Sequence, residues 1–467
     1  MLAASSIQTR TGWGFALLLL MCGAAVADQP QLPRDDPVAQ QRARIREAEL
    51  QSRAVPQLPA APLRNGIKQI DRAAIEGIVG PIRAKQGAGR PALVGPQAQS
   101  LCFQKSFPQA VAGSGGVSWL VCVTDMGTKA LWVGPVYLQR TAAGPWISVL
   151  YQAGLADIFV PYHQGLPRLY DMEWVSQLSV VTQQDAGTNG TPVSIVKGAL
   201  PTVVTEVRER GLAWLCKQNS MDSRRGEEFV VWGVSDAGNY DNVIQYSFRD
   251  DGTISFRVGH TGYNNPNYPV QTHMHTSLWR VDMDLGTPSG NTAYFVGHRE
   301  PLANPLQAVD TSQLFGSGFE GRARWNGPQF GALLIEDTAT NASGKHIGYE
   351  FKPLQGGEGT PRHYGSGELW TQYDFHVTVY HPNELGWAAP VPPAPHPGAY
   401  LPLHLNNESI VATDLIAWIL SAVHHEPTDE NNGASGPGVN LIHWSGFDVV
   451  PHNLFDANPL GAPNACN

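Results

Sequence analysis

Val243-Ile244-Gln245-Tyr246-Ser247-Phe248-Arg249-Asp250-Asp251-Gly252-Thr253-Ile254-Ser255-Phe256-Arg257-Val258 is the stretch that decides the fold class. Ile244, Tyr246 and Phe248 alternate with polar residues, and Ile254, Phe256 and Val258 do so again. A period of two puts each apolar set on one face of a sheet. Asp251-Gly252 supplies the tight turn between the runs. The stretch therefore predicts an antiparallel hairpin with one buried face. Many other short β-branched and aromatic runs are broken by Gly, Asn and Pro. With 49 Gly, 36 Pro and only 15% charged residues, the chain has the texture of a large antiparallel β protein.

Working outward, the 467 residues are enough for a large core or two domains. Arg10, the apolar run Phe15 to Met21 and Ala25-Val26-Ala27 predict a signal peptide over residues 1–27. Export to the periplasm or the medium follows, with no membrane attachment once that segment is cleaved. Residues 28–95 form a reduced N-terminal region, helical at Ala39 to Ala54, linker-like at Pro56 to Pro62, and with a second amphipathic helix within Ile67 to Lys85. Residues 96–467 form the main β domain. A net charge of −9 argues against a nucleic-acid partner. Cys102, Cys122, Cys216 and Cys466 permit two disulfides in an exported chain, Cys102 with Cys122 first because a hairpin joins them.

Four constellations carry chemistry. His273-Met274-His275 places two imidazoles on one strand face, a natural metal chelate. Gly238-Asn239-Tyr240-Asp241 leads into the hairpin and as bare pattern is a turn entering a strand, with Tyr240 an ordinary core aromatic. The apolar run from Trp418 ends in His424-His425, which offers a third ligand. Asp282-Met283-Asp284 puts two carboxylates where a hard cation could be held, or at a surface strand end.

Together these pieces resemble the copper amine oxidase family. Asn239-Tyr240-Asp241 matches the core of the family's quinone motif, and His273-Met274-His275 follows the hairpin in family order. Arg280, the Asp-Met-Asp run, Leu401 to Ser409, Asp414, Trp418 and Phe455 to Pro459 continue the resemblance. Seven residues after Trp418 the family has its third copper histidine, which selects His425. Val160-Pro161-Tyr162 resembles the segment whose tyrosine hydrogen-bonds the quinone. Asp236 stands where the family motif has Thr.

The resemblance implies a large antiparallel β-sandwich and a homodimer. It implies copper on His273, His275 and His425, and topaquinone made from Tyr240. Tyr162 then holds the quinone oxygen, and Asn239 restricts the ring's rotation. A second cation, calcium or manganese, sits on Asp282, Met283, Asp284, Asp414 and Leu415, the Met and Leu through backbone oxygens. The implied reaction takes a primary amine and dioxygen to an aldehyde, ammonia and hydrogen peroxide. The best match to the catalytic base is Asp171 in Leu169-Tyr170-Asp171-Met172-Glu173-Trp174. Asp185 is the rival, but Val180 to Val196 reads as a hairpin with Asp185 at its tip, and an exposed tip does not raise a carboxylate's pKa. Two other readings stay open: a relative that binds copper without turnover, and a zinc hydrolase on the same three histidines.

Overall fold

The computed structural model describes residues 63–86, 100–108, 116–141, 144–162, 168–173, 178–196, 198–216, 222–299, 309–325, 331–354, 370–382, 384, 397–431 and 439–461. The expected signal peptide, the helix at 39–54 and the linker lie outside them. In chain order the strands are β1 Lys68–Ile70, β2 Ser100–Ser106, β3 Ser118–Asp125, β4 Leu131–Gln139, β5 Trp146–Pro161, β6 Arg168–Tyr170 and β7 Thr191–Val193. Then come β8 Val203–Cys216, β9 Asp222–Ala237, β10 Tyr240–Arg249, β11 Ile254–Gly262, β12 His273–Met283 and β13 Asn291–Arg299. The last are β14 Val309–Leu314, β15 Gly321–Ala323, β16 Ala332–Thr340, β17 His346–Pro353, β18 Phe375–Val379, β19 Leu415–His425 and β20 Asn440–His452.

The expected hairpin is β10–β11, with Tyr246 opposite Phe256. Arg249 N donates to Thr253 O across the turn, and Gly252 takes the positive φ of +87° there. Ile244, Tyr246, Phe248, Ile254, Phe256 and Val258 are all fully buried. They face a second layer of strands. One sheet runs β1-β2-β3-β4-β5-β12-β19-β18-β15, with β6 on β5. The other runs β14-β13-β16-β17-β20-β11-β10-β9-β8-β7. Every strand pair is antiparallel, for example β12 with β5 and with β19. The mainly β, antiparallel sandwich expected from the sequence is the fold found.

Aromatic rings lock the two sheets together. Trp279 of β12 packs edge-on against Tyr246 and Phe256 of the facing sheet, at 6.1 and 5.7 Å between centroids. Phe447 of β20 stacks on Phe256 at 4.8 Å. The polar tips are satisfied: Trp279 Nε1 donates to Ser421 Oγ, and Tyr246 Oη to Leu131 O.

β12 is buried along its whole length. Its even-numbered face is covered by a satellite cluster that includes Phe159, Leu278, Trp370, Leu401 and Trp418. A strand buried on both faces must pair or ligate every polar side chain it carries.

The helix Arg72–Gln86 overlaps the stretch Ile67 to Lys85 where an amphipathic helix was expected and runs one residue past it. It puts Val79 on Leu120 and Tyr137. β1 adds to the sheet edge beside β2. Cys102 and Cys122 are cross-strand partners and form the expected disulfide. Among the described residues no helix is long and apolar enough to cross a membrane.

One local expectation fails. Residues 180–196 are not a hairpin. Thr182 starts a short helix, Gln183–Ala186, through a capping box: Asp185 N donates to Thr182 Oγ1 and Thr182 N to Asp185 Oδ2. Those side-chain bonds outcompete a strand at that point. The chain then turns back as β7, which pairs with β8.

Gly262 shows how tightly the entry to β10 is built. It sits at φ +105°, and a Cβ there would lie 2.3 Å from Asn239 O and 3.0 Å from Tyr240 Cα. Gly262→Ala is expected to push Tyr240 off its position and to cost stability, on the order of 1–3 kcal/mol for such strain. Denaturant titration of the variant checks the stability; copper uptake compared with wild type checks the site.

Candidate active site

Alternation along two neighbouring strands assembles the metal pocket. His273, His275, Trp279 and Val281 share one face of β12, and the last two belong to the inter-sheet core. On β19, His425 shares a face with Ile419 and Ala417 of the same core, while His424 points outward and is exposed. His273 is directly opposite His425 in the ladder. All three imidazoles are buried, and one ring nitrogen from each lies within 4.8 Å of the others.

Tyr240 reaches this trio from the opposite sheet. It begins β10, and its Oη lies 2.9 Å from His273 Nε2 and 2.9 Å from His425 Nδ1. Those two nitrogens are themselves 3.1 Å apart. His273 Nδ1 is 2.9 Å from Gln271 O. A carbonyl only accepts, so Nδ1 carries the proton and Nε2 presents a lone pair inward.

The remaining nitrogens are left over. His275 is fully buried with neither ring nitrogen bonded, and His425 Nε2 also lacks a partner. Burial, as the largest cause, holds these rings neutral. It depresses His273 to about 4 and His425 to about 3, and pushes His275 well below its ordinary value. Three neutral imidazoles with unspent lone pairs fit Cu(II), and the donor set also fits zinc.

The remaining groups expected from the sequence close around Tyr240. Tyr162 follows β5 and stacks on His273 at 4.2 Å. Its hydroxyl is buried and turned to the Tyr240 phenol as a hydrogen-bond partner. Asn239 Nδ2 donates to Tyr263 O. Asp236 accepts from Gly238 N and so shapes the turn before Asn239. Burial, then Tyr162 and Asp171, push the Tyr240 phenol far above its ordinary pKa, so it stays protonated at neutral pH.

Asp171 lies just past β6, in the turn Asp171–Glu173, because β6 pairs with the end of β5. It is buried, and burial raises its carboxyl to about 7, with Asn242 opposing and Asp157 adding to the rise. Asp185 is exposed and spent on the capping box.

Asp282, Asp284 and Asp414 form a second cluster with oxygens within 4.8 Å of one another. Asp282 and Asp284 are buried, not a surface strand end. Met283 and Leu415 are cross-strand partners beside them. Clustered buried carboxylates repel, so the arrangement suits a hard cation.

Sequence reasoning missed Asn242, His260 and His443. His260 continues the inward alternation of Ile254, Phe256 and Val258, and it stacks on His275 at 4.3 Å. His443 is its cross-strand partner on β20 and lies 5.0 Å from His425, ring to ring.

Residues 209–465 match a family model, copper amine oxidase, enzyme domain. Primary amine oxidase 2 of Arabidopsis thaliana is 22% identical over 370 residues, 67% of this chain and 52% of that protein. The human copper-containing amine oxidase 2 is 26% identical over 270 residues, 49% of this chain and 34% of that one. The chain thus spans about half or less of the length of these curated relatives. The crystal structure of a copper-containing benzylamine oxidase from Hansenula polymorpha shares the fold with a TM-score of 0.57 at 17% identity, over 80% of this chain and 64% of that one. The Pichia pastoris lysyl oxidase structure does so with 0.54 at 18%, over 88% and 60%. A match that covers more than half of the 467 residues, on a fold shared with solved amine oxidases, makes this chain a member of the copper amine oxidase family.

Proposed function

We propose that this protein oxidises primary amines with dioxygen and water, giving an aldehyde, ammonia and hydrogen peroxide. The observation that carries the reading is the Tyr240 hydroxyl set 2.9 Å from two imidazoles of a buried three-histidine pocket. His273, His275 and His425 are the copper ligands in this reading. When bound, copper would support oxidation of the Tyr240 ring by dioxygen to topaquinone, which supplies the electron sink that no ordinary side chain offers.

The chain's own residues do the rest. Asp171 accepts the proton of the substrate's α-carbon. Its pKa of about 7 leaves it partly ionised at neutral pH, where a general base works best. Tyr162, buried with its hydroxyl already toward the Tyr240 phenol, is the donor we assign to the ring oxygen. Asn239, tied to Tyr263 O, limits how far the ring can turn. The covered faces of β12 exclude water from the pocket.

The test is reconstitution with copper in air, followed by mass spectrometry of the peptide that contains residue 240 and titration with phenylhydrazine. The expected result is the quinone mass and a coloured adduct. An unmodified Tyr240 beside fully bound copper would reject the reading, and so would a pocket that takes only zinc.

We assign Asp282, Asp284 and Asp414, with backbone oxygens of Met283 and Leu415, to a structural calcium or manganese ion. Adding calcium to metal-stripped protein should raise Tm. At about 100-fold over Kd the gain is about 2.7 kcal/mol. Differential scanning calorimetry of wild type and of D282N checks this; equal, calcium-insensitive Tm values would refute it.

The Cys102–Cys122 disulfide and the disulfide-bonded Cys216 support export to the periplasm or medium, with residues 1–27 removed, 28–95 as a reduced N-terminal region and 96–467 as the catalytic domain. Val439, Leu441 and Ile442 expose apolar surface near the start of β20, which supports a homodimer.

A further inference from the structure

Asn242 and His260 have no part in the roles assigned so far. Asn242 is two residues from Tyr240 on β10, so both side chains enter the same interior. It is fully buried, and its cross-strand partner on β11 is His260, also buried. His260 Nδ1 and Asn242 Oδ1 are 2.7 Å apart. An amide oxygen only accepts, so the ring N–H donates. That bond fixes which way the amide points: Oδ1 toward His260, Nδ2 away from it.

The Asn242 amide meets the Asp171 carboxyl as a side-chain hydrogen-bond partner. Asn242 Nδ2 and Asp171 Oδ2 are both buried and have no other partner. On its other side, His260 stacks on His275. One line of contacts therefore runs from the metal pocket through β11 and β10 to the carboxylate.

We propose that Asn242, oriented by His260, is the positioning residue that aims the Asp171 carboxylate at the substrate. The proposal rests on Asp171 being the base. The chemistry favours an amide for this task. A buried carboxylate needs a donor to hold one oxygen while the other takes the proton. A Lys or Arg donor would stabilise the anion so strongly that it would cease to be a base. A neutral amide holds it and leaves it basic. The charged and titratable groups facing Asp171 are Asp157 of β5 and the phenols of Tyr162 and Tyr240.

The test is anaerobic reduction of the quinone by a primary amine, with and without deuterium at the α-carbon, followed across pH in copper-loaded protein. N242A is expected to shift the acidic limb upward by about one pH unit, the scale of a lost hydrogen bond to a charged group. It should also slow the isotope-sensitive step about tenfold at high pH while substrate Kd stays put. N242Q, which keeps the donor, should recover part of the loss. H260F should act in the same direction by less, and H260Q, which still donates, should not. An unmoved limb and rate in N242A would overturn the proposal. Should N242A fail to fold or to form the quinone, H260F behaving like H260Q would overturn it instead. D171N separates the two ideas. If D171N keeps the wild-type limb and isotope effect, the base assignment fails. If it loses them while the Asn242 and His260 variants match wild type, only the positioning role fails.

Discussion

Tyr240→Phe is expected to abolish amine turnover and to leave copper binding intact. The hydroxyl of Tyr240 is the group that meets His273 Nε2 and His425 Nδ1, and in the proposed reaction its ring would become the electron sink. Phenylalanine keeps the ring, so the packing against His275 at 4.6 Å persists. It lacks the oxygen that starts ring oxidation. With no quinone, the expected loss in kcat/KM is at least about 10⁶-fold, the lower end of what enzymes contribute. Copper uptake should stay near wild type, because the three imidazoles are untouched. Atomic absorption for copper and phenylhydrazine titration for quinone read the two outcomes separately. Turnover within tenfold of wild type would mean that the electrons go somewhere other than residue 240.

Most of the scaffold behind that result was legible in the residues. Period-two alternation set the β10–β11 hairpin and placed His273 and His275 on one face, because a pleated strand leaves no other option. The apolar strand ending at His424-His425 was legible too. Resemblance selected His425; in the ladder His425 points into the core and His424 at solvent. Two things were hidden. Tyr240 meets the histidines across the sandwich, a contact of 33 residues in sequence to one strand and 185 to the other, which no local pattern encodes. The Thr182–Asp185 capping box was the second. It was misread because the β-branched residues around it suggested strand, while two short-range side-chain bonds decided for helix. His260 leaves a trace in the sequence, as a polar residue on the inward face of a strand, but its partner Asn242 is supplied by the neighbouring strand.

Asp171→Asn should produce an enzyme that is more stable and nearly inactive. Burial holds the Asp171 carboxyl at about 7 in the folded protein, against an ordinary value of 3.8. The folded state therefore takes up this proton at a higher pH than the unfolded chain does. Stability contributed by the neutral acid is complete below 3.8 and is lost as pH rises toward 7. Above that, the native protein carries a buried anion at a cost on the order of a few kcal/mol. Asparagine has no charge to bury, so the variant's Tm should exceed wild type at pH 8 and converge with it near pH 4. Catalysis moves the other way. An amide does not accept the α-carbon proton, and loss of a general base costs about 10²–10⁴-fold in the reductive half-reaction. In wild type, kcat/KM should fall about tenfold per pH unit below 7, as the base is protonated. The variant should lack that limb. Calorimetry at the two pH values and single-turnover reduction of the quinone check the opposed signs. A variant less stable than wild type at pH 8, or one that keeps the acidic limb, would mean that the buried carboxylate is a structural group and the base lies elsewhere.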